Sequence, residues 1–379
     1  MTDQSIRPFT LAIEERELDD LRARLDQARW PGRETGEGWD QGVPTDRLRA
    51  LVDYWRNRYD WRRCEAMLNG FGQYKTHIDG LDIHFLHIRS PEADAMPMLL
   101  THGWPGSVIE FNKVIGPLSD PVAHGGDKAD AFHLVIPSLP GYGFSDKPAE
   151  AKWGVERIAK AWAELMRRLG YQRYVAQGGD WGSAVTVQLG VQAPEGLAGV
   201  HFNMLSIRPD AQNADVPPEE QQAIDALKYF ADVESAYARL QATRPQTIGY
   251  ALADSPIGQA AWIYEKLRGW SDCGGEPETV FTIDEMLDNI MLYWLPNNGA
   301  SSARLYWESM NSFRPIKIDL PLGFSQFPRE IIPVPRSWAD RVFSNIIHWN
   351  SVEKGGHFAA FEQPALFVDE VRTCFRQLR

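Results

Sequence analysis

The sequence predicts an α/β fold with a mostly parallel sheet and helices on both of its faces. From residue 96, short apolar runs each lead into a loop rich in Gly, Pro or His, as in MPMLLTHGWPGS, FHLVIPSLPGYG, YQRYVAQGGDWG and LAGVHFNMLS. Helical stretches such as VERIAKAWAELMRRLG separate these runs. Short buried strands that alternate with helices are typical of a parallel sheet, in which ligands bind beyond the carboxyl ends of the strands.

Residues 1–95 predict an arm that precedes this pattern. Residues 10–30 carry apolar positions at helical spacing among many charges, and residues 45–70 have a second helical pattern. The segment YKTHIDGLDIHFLHIR then alternates apolar and polar residues around Asp79-Gly80, which predicts a hairpin. We therefore expect the arm to end in the first antiparallel strands of the sheet.

Three further segments divide the rest of the chain. Residues 96–205 contain the first half of the α/β core, as described above. Residues 206–300 are mostly helical in pattern and predict an inserted lid, for example in EEQQAIDALKYFADVESAYARLQ. Residues 301–379 return to strands followed by loops and predict the second half of the core.

The composition indicates which classes of binding partner and which cellular compartment to expect. A formal net charge of −12 argues against nucleic acid or an anionic membrane surface as the main partner. The three cysteines form no metal or redox motif, and the N-terminus has no apolar segment of signal-peptide length. No run approaches the roughly 20 apolar residues that span a bilayer. We therefore expect a soluble, cytoplasmic protein without a membrane anchor.

The segment YVAQGGDWGS predicts a nucleophile elbow, in which a strand turns sharply into a helix at G-x-nucleophile-x-G. Asp180 occupies the nucleophile position. Gly and Asp are also common in ordinary turns, so an N-cap aspartate is the alternative. Ser183 lies three residues past the centre of the elbow, inside the predicted helix, and is the weaker candidate.

A histidine and an acid complete a predicted triad. His357, in KGGHFAAFEQP, follows a late strand, where this type of fold carries its general base. His348 belongs to the strand itself, which indicates a structural role. Glu330, in GFSQFPRE, occupies the place of the acid, and Asp340 is the alternative. The order nucleophile, acid, histidine is that of the α/β-hydrolases.

An oxyanion site is predicted from the loop HGWP, which directly follows an apolar run. The backbone N–H groups of Trp104 and Trp181 are the candidate donors. Pro105 has no N–H to donate and stiffens the loop. We interpret His102 as a residue that holds the loop backbone rather than as a catalytic group.

These motifs together resemble those of the α/β-hydrolase-fold epoxide hydrolases, in the microsomal and juvenile hormone epoxide hydrolase branch. The resemblance covers nearly the whole chain, including FTLAIEERELDDLRARLDQARWP, HGWPGS, PSLPGYGFSDKP, GGDWGS, ADSPIGQAAWIYEKLRGW, LYWESMNSFRP, GFSQFPRE and GGHFAAFEQP. It implies a sheet of eight strands, a helical lid, an N-terminal arm that wraps the core, and no metal or organic cofactor. It also implies a homodimer as one possible assembly.

The resemblance further implies two lid tyrosines that bind and protonate the epoxide oxygen. By local match these are Tyr237 in VESAYARLQ and Tyr306 in SARLYWES. Without the resemblance, both would be interpreted as residues of helix packing. The other candidate tyrosines have no such match; they are Tyr229, Tyr250, Tyr264 and Tyr293.

The expected reaction is hydrolysis of a small apolar or aromatic epoxide by water to a vicinal diol. A carboxylate is ionised near neutral pH, so an aspartate can attack a strained carbon without a base to activate it. A haloalkane dehalogenase with the same aspartate nucleophile is the first alternative function. The second is an inactive hydrolase fold that serves as a binding protein. The tyrosine pair and the arm favour the epoxide.

Overall fold

The computed structural model describes residues 4–207, 216–312 and 316–379, and over these residues nine strands form one sheet. The strands are β1 (Ile6–Phe9), β2 (Gln73–Ile78), β3 (Leu81–Ile88), β4 (Met96–Thr101), β5 (Phe132–Pro137), β6 (Tyr174–Gly178), β7 (Leu197–Phe202), β8 (Leu322–Gln326) and β9 (Ile346–Ser351). Their order across the sheet is β1-β2-β3-β5-β4-β6-β7-β8-β9.

The helices precede, separate and follow these strands. They are α1 (Glu15–Asp26), α2 (Thr45–Asn57), α3 (Trp61–Gly70), α4 (Asn112–Ser119), α5 (Val155–Arg168), α6 (Asp180–Gln192), α7 (Pro218–Tyr229), α8 (Ala236–Thr243), α9 (Pro245–Asp254), α10 (Pro256–Trp270), α11 (Ile283–Trp294), α12 (Gly299–Ser309), α13 (Arg336–Asp340), α14 (Ala359–Glu362) and α15 (Pro364–Arg376). A π-helix at Phe230–Glu234 joins α7 to α8.

The predicted α/β class with a mostly parallel sheet is confirmed, but the part of the chain that the structure describes contributes nine strands to the sheet instead of eight. All neighbouring pairs from β5 to β9 are parallel, and the pairs among β1, β2, β3 and β5 are antiparallel. The additional strand is β1, which the arm contributes at the edge of the sheet beside β2. Its four residues show no alternation of buried and exposed positions, so no sequence pattern predicted it.

The arm packs on the rest of the protein through one face of each helix. In α1 the buried side chains are Leu18, Leu21 and Leu25, at the three- and four-residue spacing of a helix face. Full burial of one such leucine contributes about 1.5–3 kcal/mol to the free energy of unfolding. The predicted hairpin is confirmed: β2 and β3 are joined by Asp79 and Gly80, with φ of 49° and 89°. Positive φ at both turn residues suits the twist of the two strands.

The strand order brings two strand-to-helix loops together at the centre of the sheet. The chain passes from β4 through α4 to β5 on one side, and from β5 through α5 to β6 on the other. Because such crossovers are right-handed, α4 and α5 lie on opposite faces of the sheet. At this reversal β4 and β6 are parallel neighbours, with Thr101 opposite Gly178. The loops that follow them therefore emerge side by side, where ligands bind in open α/β sheets.

A run of helices from α7 to α12 lies between β7 and β8 in the chain. Helix α12 packs against α8 and α9, so the helical packing continues past residue 300. No helix among the described residues has the length and apolar character needed to cross a bilayer.

Candidate active site

Asp180 lies at a sharp turn between β6 and α6. Its φ is 49°, a conformation that costs a residue other than glycine about 1–3 kcal/mol. A Cβ added to Gly182 would lie 1.9 Å from the carbonyl oxygen of Thr101, and one added to Gly178 would lie 2.2 Å from the carbonyl oxygen of Gly182. Glycine is required at position 182 because the turn packs against the end of β4, and at position 178 because the strand packs against the first turn of α6. This steric requirement explains the G-x-D-x-G spacing.

The predicted triad residues lie within contact distance of one another. Nε2 of His357 is 3.4 Å from Oδ2 of Asp180, and Nδ1 of His357 is 2.8 Å from Oε1 of Glu330. The chain reaches Glu330 four residues after β8 and His357 six residues after β9. All three side chains are buried. Because an ionised carboxylate only accepts hydrogen bonds, Nδ1 donates to Glu330 and Nε2 faces Asp180.

The two carboxylates determine the charge of His357. Burial opposes the charged form of the imidazole, but the charge of Glu330 and hydrogen bonds to Asp180 and Glu330 outweigh it. The pKa of His357 is therefore raised well above its usual value. Loss of the negative charge on Asp180 would remove part of this support and lower the pKa of His357 again.

A second buried carboxyl holds the loop that carries His357. Glu362 accepts backbone N–H bonds from Asp272 at 2.7 Å, from Gly356 at 3.1 Å and from Phe358 at 2.9 Å. The backbone N–H of His357 donates to the carbonyl oxygen of Trp270 at 2.9 Å. These bonds fix the backbone on both sides of the histidine. No sequence pattern predicted Glu362, although it lies five residues after His357 within the GGHFAAFEQP motif.

The loop after β4 contacts the nucleophile through its backbone. The N–H of Trp104 donates to Oδ1 of Asp180 at 2.7 Å. A Cβ added to Gly103 would lie 2.2 Å from the same oxygen, so only glycine lets the loop approach this closely. Trp181, the other predicted donor, directly follows Asp180 as the second residue of α6, and its indole is fully buried.

The two predicted tyrosines lie over Asp180 on lid helices. Tyr237 is on α8 and Tyr306 on α12, both are buried, and their ring centroids are 5.8 Å apart. The ring of Tyr237 stacks on Trp104 at 4.9 Å, and the ring of Tyr306 meets Trp181 edge-on at 4.7 Å. Each phenol ring therefore packs against the indole of one of the two predicted oxyanion residues.

Burial raises the pKa of both phenols well above the usual value, and the charge of Asp180 raises them further. A hydrogen bond between Tyr237 and Tyr306 lowers the pKa of Tyr237 and so offsets part of this increase. Both hydroxyl groups therefore keep their protons near neutral pH and are available as donors.

The four other candidate tyrosines do not share this position. Tyr229 and Tyr250 are 58% and 70% exposed. The hydroxyl of Tyr264 donates to Glu278, and that of Tyr293 donates to the carbonyl oxygen of Gly106.

The weaker candidates for the triad are held in other contacts. The hydroxyl of Ser183 donates to the carbonyl oxygen of Asp180 at 2.6 Å. Asp340 forms an exposed ion pair with Arg336, and His348 contacts Glu370 at 2.8 Å. The ring of His102 lies between the backbone N–H of Leu139 and the carbonyl of Gly103. Burial lowers its pKa to about 4, so the ring is neutral and holds the loop.

A cavity of about 530 Å³ opens on Asp180 from the lid side. Its polar lining residues are Asp180, Tyr237, Tyr306, Ser206 and Lys228. The rest of the lining is mainly apolar and comes from α7, the π-helix and the ends of the core loops; it includes Met204, Ile207, Ile224, Leu227, Phe230, Met310, Ile331 and Ile332. Such a cavity can enclose an apolar molecule and direct one polar atom toward the two phenols.

Two family models match the chain. The model described as "Epoxide hydrolase N terminus" matches residues 6–111, and the model described as "alpha/beta hydrolase fold" matches residues 96–253. A protein of Stigmatella aurantiaca with the name "Putative epoxide hydrolase" is 59% identical over 99% of this chain and 86% of its own length.

Solved structures show the same similarity. The structure of Aspergillus niger epoxide hydrolase aligns with a TM-score of 0.89 and 33% identity, over 100% of this chain and 98% of that one. The juvenile hormone epoxide hydrolase of the silkworm Bombyx mori aligns with a TM-score of 0.90 and 30% identity, over 100% and 96% of the two chains.

Proposed function

This chain belongs to the epoxide hydrolase family and is an epoxide hydrolase, and on this basis we propose that it opens its substrate through a covalent ester on Asp180. One observation carries the proposal: Asp180 lies between two buried phenols on its lid side and a histidine–carboxylate pair on its other side. The two phenols can assist opening of the epoxide, and the histidine–carboxylate pair can assist hydrolysis of the resulting ester.

In the first step Asp180 attacks one carbon of the epoxide. The bond between that carbon and the ring oxygen breaks, and an alkyl ester of Asp180 forms. Tyr237 and Tyr306 donate hydrogen bonds to the ring oxygen, and one of them supplies the proton that makes it a hydroxyl group. Donors fixed in a buried site stabilise the developing charge without reorganising during the reaction.

In the second step water cleaves the ester. Nε2 of His357 takes a proton from the water, whose oxygen bonds to the side-chain carbonyl carbon of Asp180. The backbone N–H groups of Trp104 and Trp181 hold the oxyanion of the tetrahedral intermediate. The bond to the alkyl oxygen then breaks, and His357 gives its proton to that oxygen to complete the diol. Asp180 is left as a carboxylic acid, whose proton restores the phenol that protonated the ring oxygen, so Asp180 is a carboxylate again. Glu330 orients the imidazole and stabilises its cationic form.

Ester formation itself prepares His357 as a base. The pKa of His357 is raised partly through Asp180, as described above. Once Asp180 is an ester it carries no charge, so this contribution disappears while burial continues to oppose the imidazolium. The pKa of His357 should therefore be lower in the ester than in the resting enzyme, which favours the neutral imidazole that accepts a proton from water.

The cavity supports an apolar or aromatic epoxide as the substrate class. Its walls are mainly aliphatic and aromatic, and Asp180 and the two phenols are among its few polar groups. A volume of about 530 Å³ accommodates a substituent considerably larger than the epoxide ring. The buried free cysteines Cys64, Cys273 and Cys374 support a reducing compartment such as the cytoplasm.

A panel of matched substrates tests this function. We expect diol formation from aryl and alkyl epoxides such as styrene oxide, and no halide release from haloalkanes that carry the same substituents. The phenol pair donates hydrogen bonds to an oxygen that keeps its bond to carbon, whereas a dehalogenase must bind a departing halide. Diol is measured by chromatography and halide by ion-selective electrode. Halide release without diol formation would contradict the proposal.

Removal of either lid phenol is expected to slow epoxide opening. Tyr306→Phe and Tyr237→Phe should each lower the rate of ester formation about 10²-fold, because one of two donors to the developing oxyanion is lost. The double variant should be slower than either single variant. Rapid-quench experiments with mass detection of the intact chain measure this step.

The matched control is Tyr250→Phe, which makes the same change at a lid tyrosine that is 70% exposed. It should react at the wild-type rate. Wild-type ester formation in the Tyr237→Phe variant would remove that residue from the mechanism and leave Tyr306 as the donor.

A further inference from the structure

A small cavity lies behind Asp180, on the side away from the lid. Its volume is about 20 Å³, which is enough for one water molecule. Thr101, Glu110, Gln177, Asp180 and His357 line it, and we call it the rear cavity. Among the residues that line the rear cavity and the substrate cavity, Asp180 is the one that belongs to both.

Two polar atoms of the rear cavity have no hydrogen-bond partner among the described residues. They are Oγ1 of Thr101 and Oε1 of Gln177, and both side chains are almost completely buried. The amide nitrogen of Gln177 donates to Oδ1 of Asn203 at 2.8 Å, which fixes the orientation of the amide. Buried polar atoms of this kind are usually paired with protein or with an ordered water. A water in the rear cavity would satisfy both atoms.

The rear cavity also contains a carboxyl group for which the mechanism above has no role. A Cβ added to Gly106 would lie 1.1 Å from Oε1 of Glu110, so the carboxyl lies directly on the backbone of the loop after β4. Burial raises the pKa of Glu110 to about 8, the charge of His357 lowers it and that of Asp180 raises it. The neutral carboxyl, which can both donate and accept a hydrogen bond, is therefore the favoured form near pH 7.

We propose that the rear cavity binds the hydrolytic water and that Glu110, Gln177 and Thr101 position it between His357 and the side-chain carbonyl carbon of Asp180. This inference rests on the proposed covalent mechanism. The attacking water gives one proton to Nε2 of His357, and its second O–H needs an acceptor, which these three side chains provide. Because the rear cavity and the substrate cavity share only Asp180 among their lining residues, the alkyl group of the ester does not occupy the place of the water.

The test separates the two steps with styrene oxide as the probe. Rapid-quench mass spectrometry measures ester formation and ester hydrolysis in Thr101→Val, Glu110→Ala and Glu110→Gln. We expect Thr101→Val and Glu110→Ala to slow ester hydrolysis at least about tenfold, because a misplaced nucleophile reacts slowly. Ester formation should change less than about threefold. Glu110→Gln should hydrolyse the ester within about threefold of wild type, because an amide keeps the neutral acceptor.

The matched control is Thr186→Val, since Thr186 is also fully buried and its hydroxyl also lacks a partner among the described residues. Thr186 does not line the rear cavity, so both steps should keep their wild-type rates. Slowing of both steps to the same extent in Thr101→Val and Glu110→Ala would show a structural role and overturn the water site.

Wild-type ester hydrolysis in those two variants would overturn the water site and leave the covalent mechanism standing. Failure of the wild-type enzyme to form any ester in a single turnover would overturn the covalent mechanism, and the water site with it. Thr101→Val keeps the test valid if Glu110→Ala does not fold, because valine preserves the shape of the side chain.

Discussion

Replacing Asp180 with alanine is expected to abolish diol formation, with kcat lowered by at least about 10⁴-fold. The variant has no carboxylate to attack the epoxide, and His357 loses the group that its Nε2 faces at 3.4 Å. Diol is measured by chromatography under multiple turnover. The wild-type enzyme provides the complementary result: a single turnover in ¹⁸O-labelled water should leave the diol unlabelled and place the label in Asp180.

Ser183→Ala is the control for this prediction, because Ser183 is the hydroxyl nearest to the elbow centre in sequence. Its hydroxyl is bonded back to the carbonyl oxygen of Asp180, so loss of this group should change kcat less than about fivefold. A diol that carries ¹⁸O after one turnover of the wild-type enzyme would mean that water attacks the epoxide directly. Asp180 would then have to act as a base or an electrostatic group.

Replacing His357 with glutamine is expected to stop the reaction after ester formation. Glutamine cannot accept a proton at neutral pH, whereas the first step of the proposed mechanism requires only Asp180 and the lid phenols. One equivalent of epoxide should be consumed, and the intact chain should gain the mass of one epoxide while turnover falls at least about 10⁴-fold. Peptide mapping should locate the added mass on Asp180.

His348→Gln provides the same chemical change at a histidine of strand β9 that contacts Glu370. It should turn over at a rate close to that of the wild type and accumulate no ester. A His357→Gln variant that forms diol at the wild-type rate would show that another group activates the water. A variant that shows neither added mass nor diol would show that the histidine is needed for ester formation as well.

Steric rules leave few choices at the core of the candidate site, so the sequence alone indicates which residues meet there. The elbow requires glycine at position 182, where it contacts the end of β4, and at position 178, where it contacts the backbone of Gly182, so the motif marks Asp180 directly. The order of the chain and the ends of the strands indicate Glu330 and His357, because parallel strands all end at one edge of the sheet. Periodicity gives no distances, so the contacts of 2.8 and 3.4 Å in the triad come from the structure alone.

The lid residues and the buried carboxyls are less predictable. Tyr237 and Tyr306 were identified through the family resemblance, since a buried tyrosine on a helix has the same pattern whether it packs or binds substrate. Glu110 and Glu362 follow known motifs closely, yet a glutamate near a helix usually faces solvent. Only the three-dimensional packing shows that Glu110 lines the rear cavity and that Glu362 is buried.

The division of the site between core and lid allows the substrate range to change separately from the hydrolytic step. Under the proposed mechanism, the groups that hydrolyse the ester all come from strand-end loops of the core, whereas the phenols and most of the cavity wall come from residues 216–312. Substitutions in the lid can therefore alter which epoxide is accepted, and at which carbon, while the hydrolytic half-reaction is inherited unchanged. Evolution and engineering of substrate range can proceed in one segment of the chain without rebuilding the catalytic centre.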